Sequence, residues 1–180
     1  MKFEDTIIIL GVPRSGTTLL RVLLGGHSQI AALPETPWIT GSQEIPSLRQ
    51  FLKDLEAFPA NPVDTIPEVT NETMLRAARS FFEQVVEPVM QASNNERLLI
   101  KTPDDIKYLN FLVSFFKGAK FLHITRDGRD VALSTVKGRK DLLGPKLADY
   151  GLNNMPNAMK RWSEWECLIQ DKFEGDSGSI

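Results

Sequence analysis

Short apolar runs and turn residues alternate along the first part of the chain. Thr6 to Leu10 is a β-branched run with charged residues before it and Gly11 and Pro13 after it, and this pattern predicts a buried parallel strand. From Thr17 onward the apolar residues recur at helical spacing until a Gly-Gly pair that begins at Gly25, a typical helix stop. The N-terminal pattern therefore predicts a strand, a glycine-containing loop and a helix.

The same alternation continues to the C-terminal part of the chain. Three more strands are predicted, at Gln29–Leu33, Leu98–Lys101 and Lys120–Thr125. Helices are predicted over about 46–58, 72–92, 104–116, 129–137 and 157–173, and the stretch 138–156 is predicted to be irregular. Asn71 is expected to cap the second of these helices, and Pro88 to kink or break it.

Strands that alternate with helices predict an α/β fold with a mostly parallel sheet. We expect three layers, as in P-loop-like proteins, with helices on both faces of the sheet. The loop at Gly11, and the residues Glu35, Lys101 and Arg126, all follow predicted strands. Ligands of such sheets bind beyond the carboxyl ends of the strands, so one crevice is expected to collect these groups.

The segment "GVPRSGTT" after the first strand has the outline of a nucleotide-binding phosphate loop. Gly11 and Gly16 have the Walker spacing, but Thr17 stands where the Walker lysine belongs. Backbone amides from Arg14 to Thr18, at the start of a helix, make an anion site, and Arg14 suits a single phosphate. The alternative is a plain strand-to-helix turn. Because no Walker-B strand is evident, a magnesium-dependent NTPase is poorly supported.

Composition and charge narrow the class of protein. The 180 residues suit one domain over 1–180, and the 42% hydrophobic and 24% charged content is that of a globular protein. The net charge of −2 predicts neither a nucleic-acid partner nor an anionic membrane. The single cysteine, Cys167, excludes an internal disulfide, and neither an export signal nor a membrane-spanning run is evident. We expect a cytoplasmic protein.

Two of these segments resemble one family. "PRSGTTLL" resembles the 5′-phosphosulfate loop of the sulfotransferases, and "FLHITRDGRDVALS" resembles the 3′-phosphate motif of the same family. The donor in that family is 3′-phosphoadenosine 5′-phosphosulfate. The resemblance implies that its 3′-phosphate is held by Arg126 and Ser134. It also implies that its 5′ side is held by Arg14, Ser15, Gly16, Thr17 and Thr18.

The alternative for the second motif is that Arg126 and Asp127 form a surface ion pair and that Ser134 faces solvent. Arg129 and Asp130 are interpreted as charges on the surface of the helix.

The likeness is greatest to the protein-tyrosine type of sulfotransferase, in which a Glu-Thr pair follows the loop at a similar distance. It implies that Glu35 is the catalytic base, and the segment "IKTP" implies that Lys101 stabilises the transition state together with Arg14. The alternatives are a loop carboxylate and a solvated lysine. Neither His27 nor His123 is our leading candidate for the base.

His123 is expected to pack in the sheet, and Trp162 and Trp165 are expected to lie in the core. Trp38 is a candidate for the lining of an acceptor cleft.

The expected function is transfer of a sulfuryl group from 3′-phosphoadenosine 5′-phosphosulfate to a hydroxyl, leaving adenosine 3′,5′-bisphosphate, without a metal. The acceptor stays open between a peptide tyrosine, a sugar and a small molecule, and so does homo-oligomerisation. Two other functions stay open: a small-molecule kinase on a P-loop scaffold and a non-catalytic nucleotide-binding module. Because family members generally continue further, the chain is expected to lack the family's C-terminal part.

Overall fold

The computed structural model of the chain describes residues 3–41, 47–57, 70–93, 95–138 and 152–174. Its strands are β1 (Thr6–Leu10), β2 (Ile30–Ala32), β3 (Arg97–Ile100) and β4 (Lys120–His123). Each of them overlaps a predicted strand, so the four predicted strands are confirmed. β3 ends one residue before Lys101, which leaves that lysine at the carboxyl end of the strand.

Seven α-helices are present in the described part of the chain. They are α1 (Thr17–Gly25), α2 (Pro37–Thr40), α3 (Leu48–Ala57), α4 (Asn71–Ser93), α5 (Leu109–Phe115), α6 (Gly128–Gly138) and α7 (Met155–Glu174). Two 3-10 helices cover Phe3–Asp5 and Pro103–Tyr108. The short α2 was not predicted, and the helix predicted over 104–116 divides into the second 3-10 helix and α5. Most of the stretch predicted to be irregular, residues 139–151, lies outside the described residues, as do residues 46 and 58.

Helix α4 bears on two predictions, a kink or break at Pro88 and an N-cap at Asn71. It is not broken at Pro88, which is exposed, because apolar residues of α4 on both sides of the proline are buried in the core, namely Ala78, Phe82, Val86 and Met90. Asn71 is the first helical residue and not the cap: the backbone N–H of Thr73 donates to Oγ1 of Thr70 at 3.2 Å. Thr70 therefore caps the helix.

The four strands form one parallel sheet in the order β2-β3-β1-β4. β1 lies between β3 and β4, with Ile7 beside Leu99 on one side and Ile8 beside Phe121 on the other. All five residues of β1 are buried, as expected for a central strand with both faces covered. The carboxyl ends of the four strands therefore meet at one edge.

Helices cover both faces of the sheet, which confirms the predicted α/β fold. On one face, Leu20 and Leu24 of α1 pack against buried strand residues such as Ile9. On the other face, the core is centred on an aromatic cluster that joins α4 to α5, in which the ring of Phe82 lies 5.2 Å from that of Phe116. None of the described helices is both long enough and apolar enough to cross a membrane.

The start of α6 is closed by its own charged residues. Oδ1 of Asp127 accepts the backbone N–H of Arg129 at 2.9 Å, and the Arg129 side chain also pairs with the carboxylate. The side-chain hydrogen bond from Arg129, followed by the backbone one, lowers the pKa of Asp127 to about 2. The partner of Arg126 is Asp130, at 3.3 Å, so the alternative of an Arg126–Asp127 pair is wrong.

We predict that Phe82→Ala lowers the free energy of unfolding by about 3–5 kcal/mol, because it removes a fully buried ring from the aromatic cluster. Phe81→Ala is the matched control, since Phe81 precedes it on α4 and is 53% exposed. Urea unfolding of both variants measures the difference. Equal losses of stability would contradict the position of the core.

We also predict that the contribution of the Asp127 charge to stability depends on pH. The native pKa of about 2 lies below the ordinary 3.8, so the charge stabilises the fold above pH ~4, and this stabilisation is lost as the pH falls through about 2. Asp127→Asn keeps the oxygen that caps α6 but removes the charge. The difference in unfolding free energy between wild type and Asp127→Asn should shrink from pH 5 to pH 2. Asp130→Asn is the control for removal of a neighbouring carboxylate. If the difference in unfolding free energy between wild type and Asp127→Asn is constant with pH, the assignment of the low pKa to Asp127 is contradicted.

Candidate functional site

The loop between β1 and α1 has a backbone that only certain residues allow. A side chain at Gly11 would place its Cβ 2.7 Å from the carbonyl oxygen of Ile124 and 2.8 Å from Cγ2 of Thr17. Gly16, directly before α1, has a φ of +104°, and Arg14 has a φ of +80°, which is uncommon for a residue with a side chain. The spacing of the two glycines thus reflects close packing against β4 and a left-handed turn.

This loop carries hydrogen-bond donors that have no partner among the described residues. The first hydrogen bond of α1 runs from the N–H of Leu20 to the carbonyl oxygen of Gly16 at 3.0 Å, so the earlier amides, those of Thr17, Thr18 and Leu19, have no partner inside the helix. The Ser15 side chain is buried, and its Oγ has no hydrogen-bond partner among the described residues. A phosphate oxygen would satisfy these donors, so the residues present fit a phosphate group.

Lys101 joins the loop to the turn after β2. Its side chain is 2% exposed, and its Nζ donates to Oγ1 of Thr18 at 3.0 Å and pairs with Oε1 of Glu35. A buried ammonium group requires such partners. Glu35 itself is 43% exposed, so its carboxylate is open to solvent on one side. We call Lys101, Glu35 and Thr18 the lysine cluster; in it, Lys101 is not the solvated lysine of the alternative interpretation.

Buried hydroxyls hold the turn that carries Glu35. The backbone N–H of Thr36 donates to Oγ1 of Thr102 at 3.0 Å, and the two hydroxyls lie 3.2 Å apart. At the other end of α2, Oγ1 of Thr40 donates to Oδ1 of Asp105. No role for these four residues was predicted from the sequence. Their only signal is that each threonine of the first pair directly follows a candidate site residue.

Arg14 links the two segments that resemble sulfotransferase motifs. Its Nε donates to Oγ of Ser134 on α6 at 3.0 Å. Further along the same helix, a Cβ at Gly138 would lie 2.9 Å from a guanidinium nitrogen of Arg14. The Arg14 side chain therefore lies along α6, and Ser134 does not simply face solvent. Arg126 is half exposed, and its described contact is with Asp130 rather than with the loop.

The other candidates of the sequence analysis lie elsewhere. Nε2 of His123 lies 2.8 Å from Oε2 of the buried Glu166 on α7, so this histidine joins the edge strand to a helix. Trp165 is buried in the core, and Trp162 packs against Gly128, where a Cβ would lie 2.5 Å from its indole. The prediction that both tryptophans pack in the core is confirmed.

The order of the strands arranges the candidate groups in a row. Glu35 follows β2, Lys101 follows β3, the loop follows β1 and Arg126 follows β4. Neighbouring strands lie about 4.8 Å apart, so the four strand ends span roughly 14 Å. The connection after β1 leads to β2 on one side of β1, and the connection after β3 leads to β4 on the other side. The end of β1 therefore lies where connections diverge, which is the place where α/β sheets bind ligands. The row runs from a carboxylate, through a buried cation and a loop whose donors suit an anion, to an arginine.

Comparison with known proteins identifies the family. The profile described as "Sulfotransferase family" matches residues 6–173. The chain is 31% identical over 168 residues to Protein-tyrosine sulfotransferase A of Caenorhabditis elegans, a match that covers 93% of this chain and 41% of that protein. It is also 31% identical over 159 residues to Protein-tyrosine sulfotransferase 1 of Mus musculus, covering 87% of this chain and 39% of the relative.

A solved structure has the same fold. The sulfotransferase domain from the curacin biosynthetic pathway superposes with a TM-score of 0.59 at 22% identity, covering 93% of this chain and 62% of that one. The chain spans about two fifths of the length of the protein-tyrosine sulfotransferases that it matches. The interpretation of residues 1–180 as a single domain stays a prediction. Because the family profile covers nearly all of its residues, the chain belongs to the sulfotransferase family.

Proposed function

We propose that this chain transfers a sulfuryl group from 3′-phosphoadenosine 5′-phosphosulfate to a hydroxyl acceptor. The observation that carries the proposal is the position of Lys101, at the end of a strand that lies between the two strands whose ends carry Glu35 and the loop. Its ammonium group contacts both. A proton acceptor and an anion site are thereby joined by one buried cation, which is what transfer of an anionic group to a hydroxyl requires.

The negative charges of the proposed donor are complementary to the groups along this edge of the sheet. The loop from Gly11 to Thr18 suits the 5′ phosphosulfate, because its amides and the Ser15 hydroxyl converge at a helix start. Ser134 on α6, with Arg126 just before that helix, is assigned to the 3′-phosphate, which forms charge-assisted hydrogen bonds with arginine. Arg14 belongs to the loop and contacts Ser134, so we assign it to both the 5′ and the 3′ end of the donor.

The roles of the chain's residues follow from these contacts. The donor supplies the sulfuryl group and leaves as adenosine 3′,5′-bisphosphate. Glu35 accepts the proton of the acceptor hydroxyl. Its carboxylate is partly exposed to solvent, so an acceptor can reach it. Lys101 and Arg14 stabilise the negative charge that develops on the transferred group and on the leaving oxygen. No step in this scheme is assigned to a metal.

The acceptor is proposed only as a hydroxyl. The relatives named protein-tyrosine sulfotransferases favour a phenol of tyrosine, whereas the chemistry of Glu35 suits any hydroxyl. An enzyme of this kind needs neither ATP nor magnesium. Stabilisation of the protein by ATP with magnesium, but not by the bisphosphate, would favour a small-molecule kinase. Binding of the bisphosphate without sulfuryl transfer to any hydroxyl would favour a non-catalytic module.

We predict that Arg126→Ala weakens binding of adenosine 3′,5′-bisphosphate about tenfold to a hundredfold, because it removes charge-assisted hydrogen bonds to the 3′-phosphate. Arg129→Ala is the matched control, since Arg129 lies in the first turn of α6, three residues after Arg126, and its described partner is Asp127. Calorimetric titration of wild type and both variants measures the effect. Equal affinities in the two variants would contradict the assignment of Arg126.

We predict that Glu35→Gln lowers kcat by about 10²- to 10⁴-fold, the usual effect of losing a general base, and changes donor affinity less than about threefold. Glutamine keeps a side-chain oxygen for Lys101 but cannot accept the proton. Transfer of labelled sulfate to 2-naphthol, a tyrosine peptide and a monosaccharide is measured, and the variants are compared on the acceptor that wild type sulfates fastest. Glu96→Gln, an exposed residue on the amino-terminal side of β3, is the control. A loss of donor affinity with unchanged kcat would overturn the role of Glu35.

A further inference from the structure

An arginine on α1 reaches across to the turn that carries Glu35. The Nη1 atom of Arg21 donates to the carbonyl oxygen of Leu33 at 3.1 Å. Leu33 is the first residue after β2, and Glu35 follows it by two residues. The hydrogen bond therefore joins the helix that begins at the loop after β1 to the backbone just before the proposed base.

The close approach of α1 to the end of β2 brings the arginine within reach of this carbonyl. A Cβ at Gly25 would lie 2.8 Å from Cβ of Ala32, so a residue without a side chain is needed where the helix packs on the strand. Gly25 lies about one turn after Arg21, and Ala32 directly precedes Leu33. The helix thus contacts the end of β2 on two adjoining turns.

The backbone on both sides of Glu35 is held from several directions. The N–H of Leu33 donates to the carbonyl oxygen of Leu99 on β3 at 2.9 Å, while the carbonyl oxygen of the same residue is held from α1. After Glu35, the N–H of Thr36 donates to Oγ1 of Thr102. The arginine therefore supplies the contact with α1, and without it the residues before Glu35 are held by β3 alone among these contacts.

These contacts form a closed ring through the lysine cluster. On α1, Thr18 accepts a hydrogen bond from Lys101. About one turn later on the same helix, Arg21 donates to Leu33. The pair formed by Lys101 and Glu35, and the two-residue step back to Leu33, complete the ring. In a closed ring the members move together, so the position of the carboxylate relative to the loop depends on the arginine.

We propose that Arg21 is a positioning residue for the sulfuryl transfer. It acts through the Leu33 carbonyl, and it keeps the Glu35 carboxylate beside Lys101 and at a fixed distance from the loop. The inference rests on the proposed function, because it assigns a further role at the same site. A base needs such placement, since a displacement of about 1 Å can lower the rate of an enzyme reaction about 100-fold.

The test compares Arg21→Met with Arg79→Met in the full chain. Arg79 is the matched control, because it is also half-buried and also donates to main-chain carbonyls, those of Ser114 and Phe115 on α5. None of its described contacts is with the lysine cluster. Arg21→Met should lower kcat by about 10- to 100-fold and change the affinity for adenosine 3′,5′-bisphosphate less than about threefold. Arg79→Met should leave both as in wild type, and Arg21→Lys, which keeps a cationic donor, should recover part of the lost kcat.

The same substitution in a second background separates positioning from a general loss of structure. If Arg21 acts through Glu35, Arg21→Met should lower kcat less than about twofold when it is introduced into Glu35→Gln, because that variant lacks the base that the arginine positions. An undiminished loss of kcat in that background would overturn the inference. An unchanged kcat in Arg21→Met alone would overturn it as well.

The carboxyl carbon of Glu35 gives a readout that needs no activity. In protein that carries glutamate labelled with carbon-13 at Cδ, the NMR signal of this residue is the one absent from Glu35→Gln. Lys101→Met gives the position of the signal without the ion pair. At neutral pH, Arg21→Met should move the signal toward that position, whereas Arg79→Met should leave it as in wild type. A signal that is unchanged in Arg21→Met would overturn the inference.

This readout also separates the inference from the proposed function. If wild type transfers sulfate to none of the acceptors, the proposed function is overturned, and the carbon signal alone then decides whether Arg21 holds Glu35 beside Lys101. If wild type transfers sulfate but neither kcat nor the carbon signal responds to Arg21→Met, the positioning role alone is overturned.

Discussion

The parallel pairing of β1 with both β3 and β4 is the constraint on which the rest of the site depends. Because the strands run in the same direction, the segments that follow them emerge at one edge of the sheet. Because β3 lies between β1 and β2, its last residue is followed by a lysine placed between the loop and Glu35. Residues that are 66 and 83 positions apart in sequence become hydrogen-bond partners in this way.

Burial of the Lys101 ammonium group is unfavourable by itself, but it arranges the site. A buried ammonium group loses its hydration, and among the residues that the structure describes, the carboxylate of Glu35 and the hydroxyl of Thr18 replace it. The same pairing holds the carboxylate close to the loop. A donor oxygen that approaches Lys101 would share the cation with Glu35, so the contact that stabilises the fold also prepares the site for an anionic group.

Local pattern predicted the strands and the glycine loop well, because β-branched runs and glycine pairs act over a few residues. It failed where contacts between distant parts of the chain determine the local structure. The break that was one of the two effects predicted for Pro88 is absent, because the buried face of α4 packs in the core on both sides of the proline. The short α2 has no periodic pattern, and it is held by hydrogen bonds to Thr102 and Asp105, more than 60 residues away. The contact between Arg14 and Ser134 likewise depends on the crossing of α6 over the loop, which no local pattern encodes.

A crystal structure of this chain with adenosine 3′,5′-bisphosphate would locate the proposed donor site. We expect the 5′-phosphate to lie in the loop from Gly11 to Thr18, within hydrogen-bond distance of Ser15 Oγ, and the 3′-phosphate to contact Ser134 and Arg126. The nucleotide would then extend from the end of β1 toward β4, with Lys101 beside its 5′ end. A nucleotide bound away from the loop, or a reversed orientation with the 3′-phosphate at Lys101, would contradict the account.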